Sequence, residues 1–131
     1  MIEHLSFYAI DFAKTRAFYE AALPPLGYEK VVDAVATWNE AWPTQRMAAF
    51  GPPGKPAFWI IETRERPTPR HLAFYAKTRA AVDAFHQAAV ATGARDNGAP
   101  GLRAVYHPTY YGAFVIDPDG NNVEAVCHKP E

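Results

Sequence analysis

Two histidines and one glutamate are the residues of this chain whose types and placement best suit them to act together. His4 opens the hexapeptide His4-Leu5-Ser6-Phe7-Tyr8-Ala9, and His71 opens its near copy His71-Leu72-Ala73-Phe74-Tyr75-Ala76, 67 residues further on. Apolar residues alternate along both copies, Leu5, Phe7 and Ala9 in the first and Leu72 and Phe74 in the second, so both imidazoles fall on the face opposite the packed one. Glu124 stands between apolar neighbours of opposite parity in Val123-Glu124-Ala125-Val126. A carboxylate in such a strand is costly to bury unless a cation or a hydrogen-bond donor meets it. Two imidazoles and one carboxylate make the donor set of a catalytic divalent centre, Fe(II), Mn(II), Zn(II) or Ni(II), with positions left for water and substrate.

The elements that must position these residues follow from the same repeat. Phe18 falls on Phe85 and Ala21-Ala22 on Ala88-Ala89; after a one-residue slip, Phe50-Gly51-Pro52-Pro53-Gly54 falls on Ile116-Asp117-Pro118-Asp119-Gly120. Residues 2–10 read as a half-buried strand. Asp11 is placed to cap a helix that Pro24-Pro25 ends, and strands follow near 28–35, 45–50 and 57–62. The second copy predicts a strand over 70–76, a helix over 79–92 ended by Gly93, and strands near 101–107, 111–117 and 122–128. The fold class is therefore α+β: two βαβββ modules forming a cleft between curved mixed sheets, with helices outside and His4 and His71 pointing into the cleft. Module one spans about 1–64, the charged, proline-rich linker about 65–69 and module two about 70–131, together one domain.

An apolar content of 49% suffices for one core in 131 residues, and no apolar run is long enough to cross a bilayer. Thirteen basic and fourteen acidic side chains give a net charge of −1 with no single-sign block, so a small molecule is the expected partner rather than nucleic acid or a membrane. Met1 leads into a strand-like segment with no secretory signal, which makes the cytoplasm the expected address. The single cysteine, Cys127, has no thiol partner within the chain and reads as a small buried hydrophobe.

Other residues are candidates for the cleft. His107, Tyr110 and Tyr111, just ahead of a strand, are placed to supply a general acid or base and hydrogen-bond donors; the plainer reading is a proline-fixed turn with tyrosines packed on the sheet. Arg103 is a candidate for a substrate carboxylate or an edge-strand surface cation. At an offset of 66 residues, Phe58 takes the place that Glu124 holds, so a symmetrical fourth ligand is missing, and Phe50, Phe58 and Trp59 are candidates to wall the pocket. Asn97–Gly101 reads as a connection or a flexible lid. His86 reads as structural or exposed, and His128 is left unassigned.

The paired βαβββ pattern, the two histidines and Asp117-Pro118-Asp119-Gly120-Asn121-Asn122-Val123-Glu124 together resemble the vicinal oxygen chelate superfamily over essentially the whole chain. That superfamily includes glyoxalases, extradiol dioxygenases, epimerases, fosfomycin-modifying transferases and metal-free bleomycin-resistance proteins. The resemblance implies His4, His71 and Glu124 as ligands of a divalent metal, and a lyase, isomerase or oxygenase acting on a substrate held through two adjacent oxygens. The absence of an acid near Phe58 departs from the four-ligand glyoxalases, and the two-His-one-Glu set looks more like the extradiol dioxygenases. A metal-free sequestration protein is the alternative. Similar members form homodimers, some pairing modules across chains.

Overall fold

Strand parity decides which side chains enter the core, and with it where a site can form. The computed structural model describes residues 1–131. In chain order it contains β1 (Leu5–Ala9), α1 (Phe12–Ala22), β2 (Glu29–Val35), β3 (Arg46–Gly51), β4 (Phe58–Glu62), β5 (His71–Tyr75), α2 (Arg79–Ala91), β6 (Arg95–Leu102), β7 (Tyr111–Ile116) and β8 (Asn122–Cys127). This is βαβββ twice, as the repeat predicts. Each half folds into one four-stranded mixed sheet, ordered β1-β4-β3-β2 and β5-β8-β7-β6, whose first and last strands in sequence run parallel. No helix is long and apolar enough to cross a membrane.

Both helices start where a side chain meets their free amides. Asp11 accepts from Lys14 N at 3.2 Å and Thr78 from Ala81 N at 3.1 Å. Phe12, Thr15, Phe18, Tyr19 and Ala22 form the buried stripe of α1, and Val82, Phe85 and Ala89 that of α2. After Leu23 the two prolines tighten into a 3-10 turn, Pro24–Leu26, closed by Gly27 at φ 83°. The helices pack on each other, and α2 also packs on this turn. One core cluster joins both halves, with Phe58 edge-on to Phe7 at 5.2 Å and to Phe74 at 5.5 Å. The helices, which the repeat predicts outside the sheets, pack on each other in one layer because their apolar stripes complete a common core.

A second correction concerns β6, which the sequence places at 101–107 after a connection. The strand runs over Arg95–Leu102 instead, with register shifts between Asp96 and Gly98 and between Gly98 and Gly101. An edge strand needs ladder bonds on one side only, so it tolerates Pro100 and two glycines that would disrupt a central strand. Residues 103–110 form a compact loop, tied by Arg103 N to Tyr110 O at 2.7 Å and Tyr110 N to His107 O at 3.0 Å.

The turn between β7 and β8 locks the two halves together. Buried Asp117 accepts from Asp119 N, Asn121 N and Asn121 Nδ2, each at 2.9 Å, and across the module boundary from Tyr19 Oη at 2.5 Å. Asp119 accepts from Ile10 N at 3.0 Å and Thr15 Oγ1 at 2.7 Å. Asn121 accepts from Arg70 N at 2.8 Å, which fixes the start of β5. Burial holds the Asp117 carboxyl above the usual carboxylate range, against its hydrogen bonds, which pull it down. Burial, followed by the charge of Asp117, raises the Tyr19 phenol well above its ordinary 10.0.

Tyr19→Phe leaves a buried carboxylate short of one donor, so urea unfolding should show a loss of about 1–3 kcal/mol. Because the folded phenol is raised, its contribution is complete below pH about 10 and is lost as pH climbs from there toward the folded value. The alkaline fall in stability should therefore be shallower in Tyr19→Phe than in the parent; equal slopes would remove Tyr19 from the account.

Candidate functional site

Opposite the core, the second sheet presents a face built from one residue in two. In β5 that parity gives His71, Ala73 and Tyr75, while Leu72 and Phe74 turn inward; in β8 it gives Glu124 and Val126, while Val123, Ala125 and Cys127 turn inward. Ala73 pairs with Glu124 and Phe114 pairs with Glu124 from the other side, so the carboxylate stands in the middle of the sheet. It is 1% exposed.

Both oxygens of that carboxylate are met. His71 Nε2 lies 2.8 Å from Glu124 Oε2, and Tyr110 Oη donates to Glu124 Oε1 in a short hydrogen bond. The predicted cost of burying Glu124 is thus offset within the chain by one imidazole and one phenol. Gly112 makes the phenol contact possible: a Cβ there would lie 3.2 Å from the Tyr110 ring and 3.4 Å from Glu124 Oε1. Burial first, then the Glu124 bond and charge, push the Tyr110 phenol up to about 12. At neutral pH it holds its proton and is a donor.

Aromatic rings surround this pair. The Phe114 ring lies 6.3 Å from that of His71, Tyr106 packs on Tyr110 at 5.2 Å, and His128 stands edge-on to Tyr110 at 5.1 Å and to His107 at 5.8 Å. His128 therefore belongs beside Tyr110, closer to the centre than its place near the C-terminus indicates. His107 is occupied through Nδ1 by Thr109, whose amide and hydroxyl lie at 3.2 and 3.1 Å. Arg103 lies over the Phe114 ring at 5.5 Å.

Several predicted residues stand elsewhere. Tyr111 takes core parity and faces α2, donating to Asp83 at 2.6 Å beneath the guanidinium of Arg79. Phe50 is enclosed in the core with Tyr19, and Phe58, which shares that core parity, also reaches the wall of a cleft between the sheets. His86 bonds Asp96 at 3.0 Å, far from Glu124 in role. His4 precedes β1 on the first half, where its imidazole meets Glu3 in a short contact, and no three His, Cys, Asp or Glu side chains gather closely enough to hold a metal ion. A cleft of about 610 Å³ does open between the sheets, lined by Leu5, Tyr28, Phe58, Leu72, Phe74 and Tyr75. Neither His4 nor His71 is in its wall, which corrects the expectation that both point into it.

The equivalence drawn at Phe58 shifts by one residue. Ser6 pairs with Trp59 as Ala73 pairs with Glu124, and Ala49 pairs with Trp59 as Phe114 pairs with Glu124. Trp59 is thus the counterpart of Glu124, and an indole stands on the open face where the second sheet has a carboxylate. The roles of Tyr19, Thr15 and Asp119 in holding β8 were not readable from the sequence, since their partners lie about 100 residues away. Gly112 carried a usable signal, a glycine interrupting an apolar strand.

Residues 1–125 match the family model described as Glyoxalase/Bleomycin resistance protein/Dioxygenase superfamily. The chain belongs to this superfamily. Among solved structures it is similar to a glyoxalase/bleomycin resistance protein from Albidiferax ferrireducens T118, with 26% identity, a TM-score of 0.73 and 98% of each chain covered. A glyoxylase/bleomycin resistance protein/dioxygenase domain from Frankia sp. EAN1pec shares the fold at 17% identity and a TM-score of 0.71, with 98% of each chain covered. So does a mutant of the fosfomycin resistance protein FosX from Listeria monocytogenes, at 17% identity and a TM-score of 0.67, covering 96% of this chain and 90% of that one; it is complexed with Mn(II) and 1S,2S-dihydroxypropylphosphonic acid. No curated protein sequence matches significantly.

Tyr110 should ionise near pH 12 in an ultraviolet titration, in the high-pH region where Tyr19 and Tyr111 are also displaced, and Tyr110→Phe should remove one tyrosine's amplitude from that region. Gly112→Ala should bring Tyr110 down toward the ordinary value by prising the phenol from Glu124. An unaltered titration in Gly112→Ala would show that the contact does not depend on the missing Cβ.

Proposed function

We propose that this chain is a divalent-metal-dependent small-molecule enzyme, a lyase, isomerase or oxygenase of the glyoxalase-dioxygenase type. The observation that carries the reading is the His71–Glu124 pair: an imidazole nitrogen and a buried carboxylate oxygen 2.8 Å apart on the open face of a sheet. These donors suit Fe, Mn, Zn or Ni. The chain gathers two of the three proposed ligands, and the third, His4, comes in this reading from a second copy.

Edge-strand chemistry supports that assembly. β1 and β5 are each the outermost strand of a sheet, and neither Leu5–Ala9 nor His71–Tyr75 contains a proline, lysine or acid to discourage pairing. Exposed Ile2, Leu5, Tyr8, Ile10 and Tyr75 flank them. A twofold pairing of β1 with β5 of the other copy would carry His4 of the partner subunit toward His71 and Glu124.

A metal held there would act as a Lewis acid on a substrate chelated through two adjacent oxygens. The chain's own residues then have separable tasks. Glu124 fixes the imidazole of His71, and Tyr110, protonated at neutral pH, commits its one proton to Glu124 Oε1 and so holds the carboxylate in place. Phe114 and Tyr106 narrow the access of water. His128 packs edge-on against the Tyr110 ring, and His107 packs on His128, which supports the tyrosine from behind.

A second reading, metal-free sequestration, has its own support: both Glu124 oxygens already have donors, so the face is self-consistent as a polar floor for a bound molecule. Complementation separates the readings. Metal analysis by mass spectrometry should find metal in the parent and none in His4→Ala or His71→Ala. Unfolding these two variants together and refolding them should restore about a quarter of the parental metal, because half the pairs are mixed and each mixed pair has one intact site. Metal retained by His4→Ala would sink the shared centre, and a parent that takes up none of the four metals would leave sequestration.

A further inference from the structure

Arg103 is held on the open face with more care than a surface cation needs. Its guanidinium lies 5.5 Å over the Phe114 ring, within cation–π range, and donates through Nη2 to Ala99 O at 2.7 Å. Two glycines of β6 make its bed: a Cβ on Gly98 would lie 3.3 Å from Nη2, and one on Gly101 would lie 3.1 Å from Nη1. Nearby Asp96 is engaged by His86 and by Gly98 N, and Glu124 by His71 and Tyr110, so neither neutralises the guanidinium. A cation bedded by glycines, stacked on a ring and left without a carboxylate has unused donors facing the site.

Its distance from the chelating pair is bounded. Phe114 lies between them, 5.5 Å from the guanidinium and 6.3 Å from the His71 ring, which places the two no more than about 12 Å apart. One small molecule can span that gap. The ring that both ends touch is Phe114, an aromatic face that favours a flat body over a branched or sugar-like one.

We propose that the ligand of this site is a small flat acid, its anionic group seated on Arg103 and its pair of adjacent oxygens at His71 and Glu124. This rests on the reading of His71 and Glu124 as the chelating end, and it adds the charge and shape of the molecule. An arginine fork gives a carboxylate two parallel hydrogen bonds, which lysine cannot reproduce. Neutral molecules with the same pair of oxygens lose that contact.

The test uses 3,4-dihydroxybenzoate and its methyl ester, which share the ring and its pair of adjacent oxygens and differ only in a charge on the far side of the ring, titrated calorimetrically into metal-loaded and metal-free protein. The acid should bind the parent about tenfold or more tightly than the ester, the effect of one charge-assisted pair. Arg103→Gln should abolish the preference and Arg103→Lys should keep part of it. Equal affinities in the parent, a preference that survives in Arg103→Gln, or no binding of the acid at millimolar concentration would each overturn the proposal. Metal content of the same samples keeps the two readings apart: an Arg103-dependent preference without metal upholds the anion seat alone, and metal without that preference upholds the metal centre alone.

Discussion

The carboxylate of Asp117 is the point on which the rest of the molecule turns. It closes the β7–β8 turn through three bonds of its own loop and reaches Tyr19 in the other half. Two residues on, Asp119 takes hold of Thr15 and the end of β1. The same turn sets the phase of β8, and that phase alternates Val123, Ala125 and Cys127 into the core and Glu124 out of it. A slip of one residue would bury a carboxylate among phenylalanines and push Val123 onto the open face. Joining the halves and aiming Glu124 are therefore one structural act.

Much of this was legible in the sequence, for a physical reason: duplication writes the same period twice. The pair of hexapeptides marked β1 and β5, their parity put His71 on the face opposite the core, and Asp11 marked the first helix start. What failed was non-local or depended on position at an edge. β6 reads as a loop because glycine and proline are penalised only where both sides of a strand must bond. Tyr111 and Tyr110 are neighbours of one type, and only the strand start between them sends one to the helix and the other to Glu124. The offset of 66 that equated Glu124 with Phe58 came from the turn sequence, whereas the ladders match Ala49 with Phe114 and Trp59 with Glu124, an offset of 65 on both strands.

That one-residue correction alters how the two halves compare. The open face of the first sheet carries Trp59 and Ile61 with Met47 and Ala49 across the ladder, an apolar surface. The second carries His71, Glu124, Tyr110 and Arg103. One ancestral pattern thus supplies a greasy face and a polar one while the buried residues keep their alternation. Core parity is constrained by packing in both copies, and open-face parity is free to diverge.

The far edges of the two sheets bear on how large an assembly can grow. On β2, Lys30 and Asp33 are tied to Arg16 and Glu20 of α1, and the ladder is bulged between Lys30 and Val32. On β6, Pro100 and two register shifts interrupt the outer row of backbone groups. Each sheet is blunted on one side and left plain on the other. Were two copies to exchange their plain edges, as the proposed shared centre requires, no template would remain for a third, and growth would stop short of a fibre.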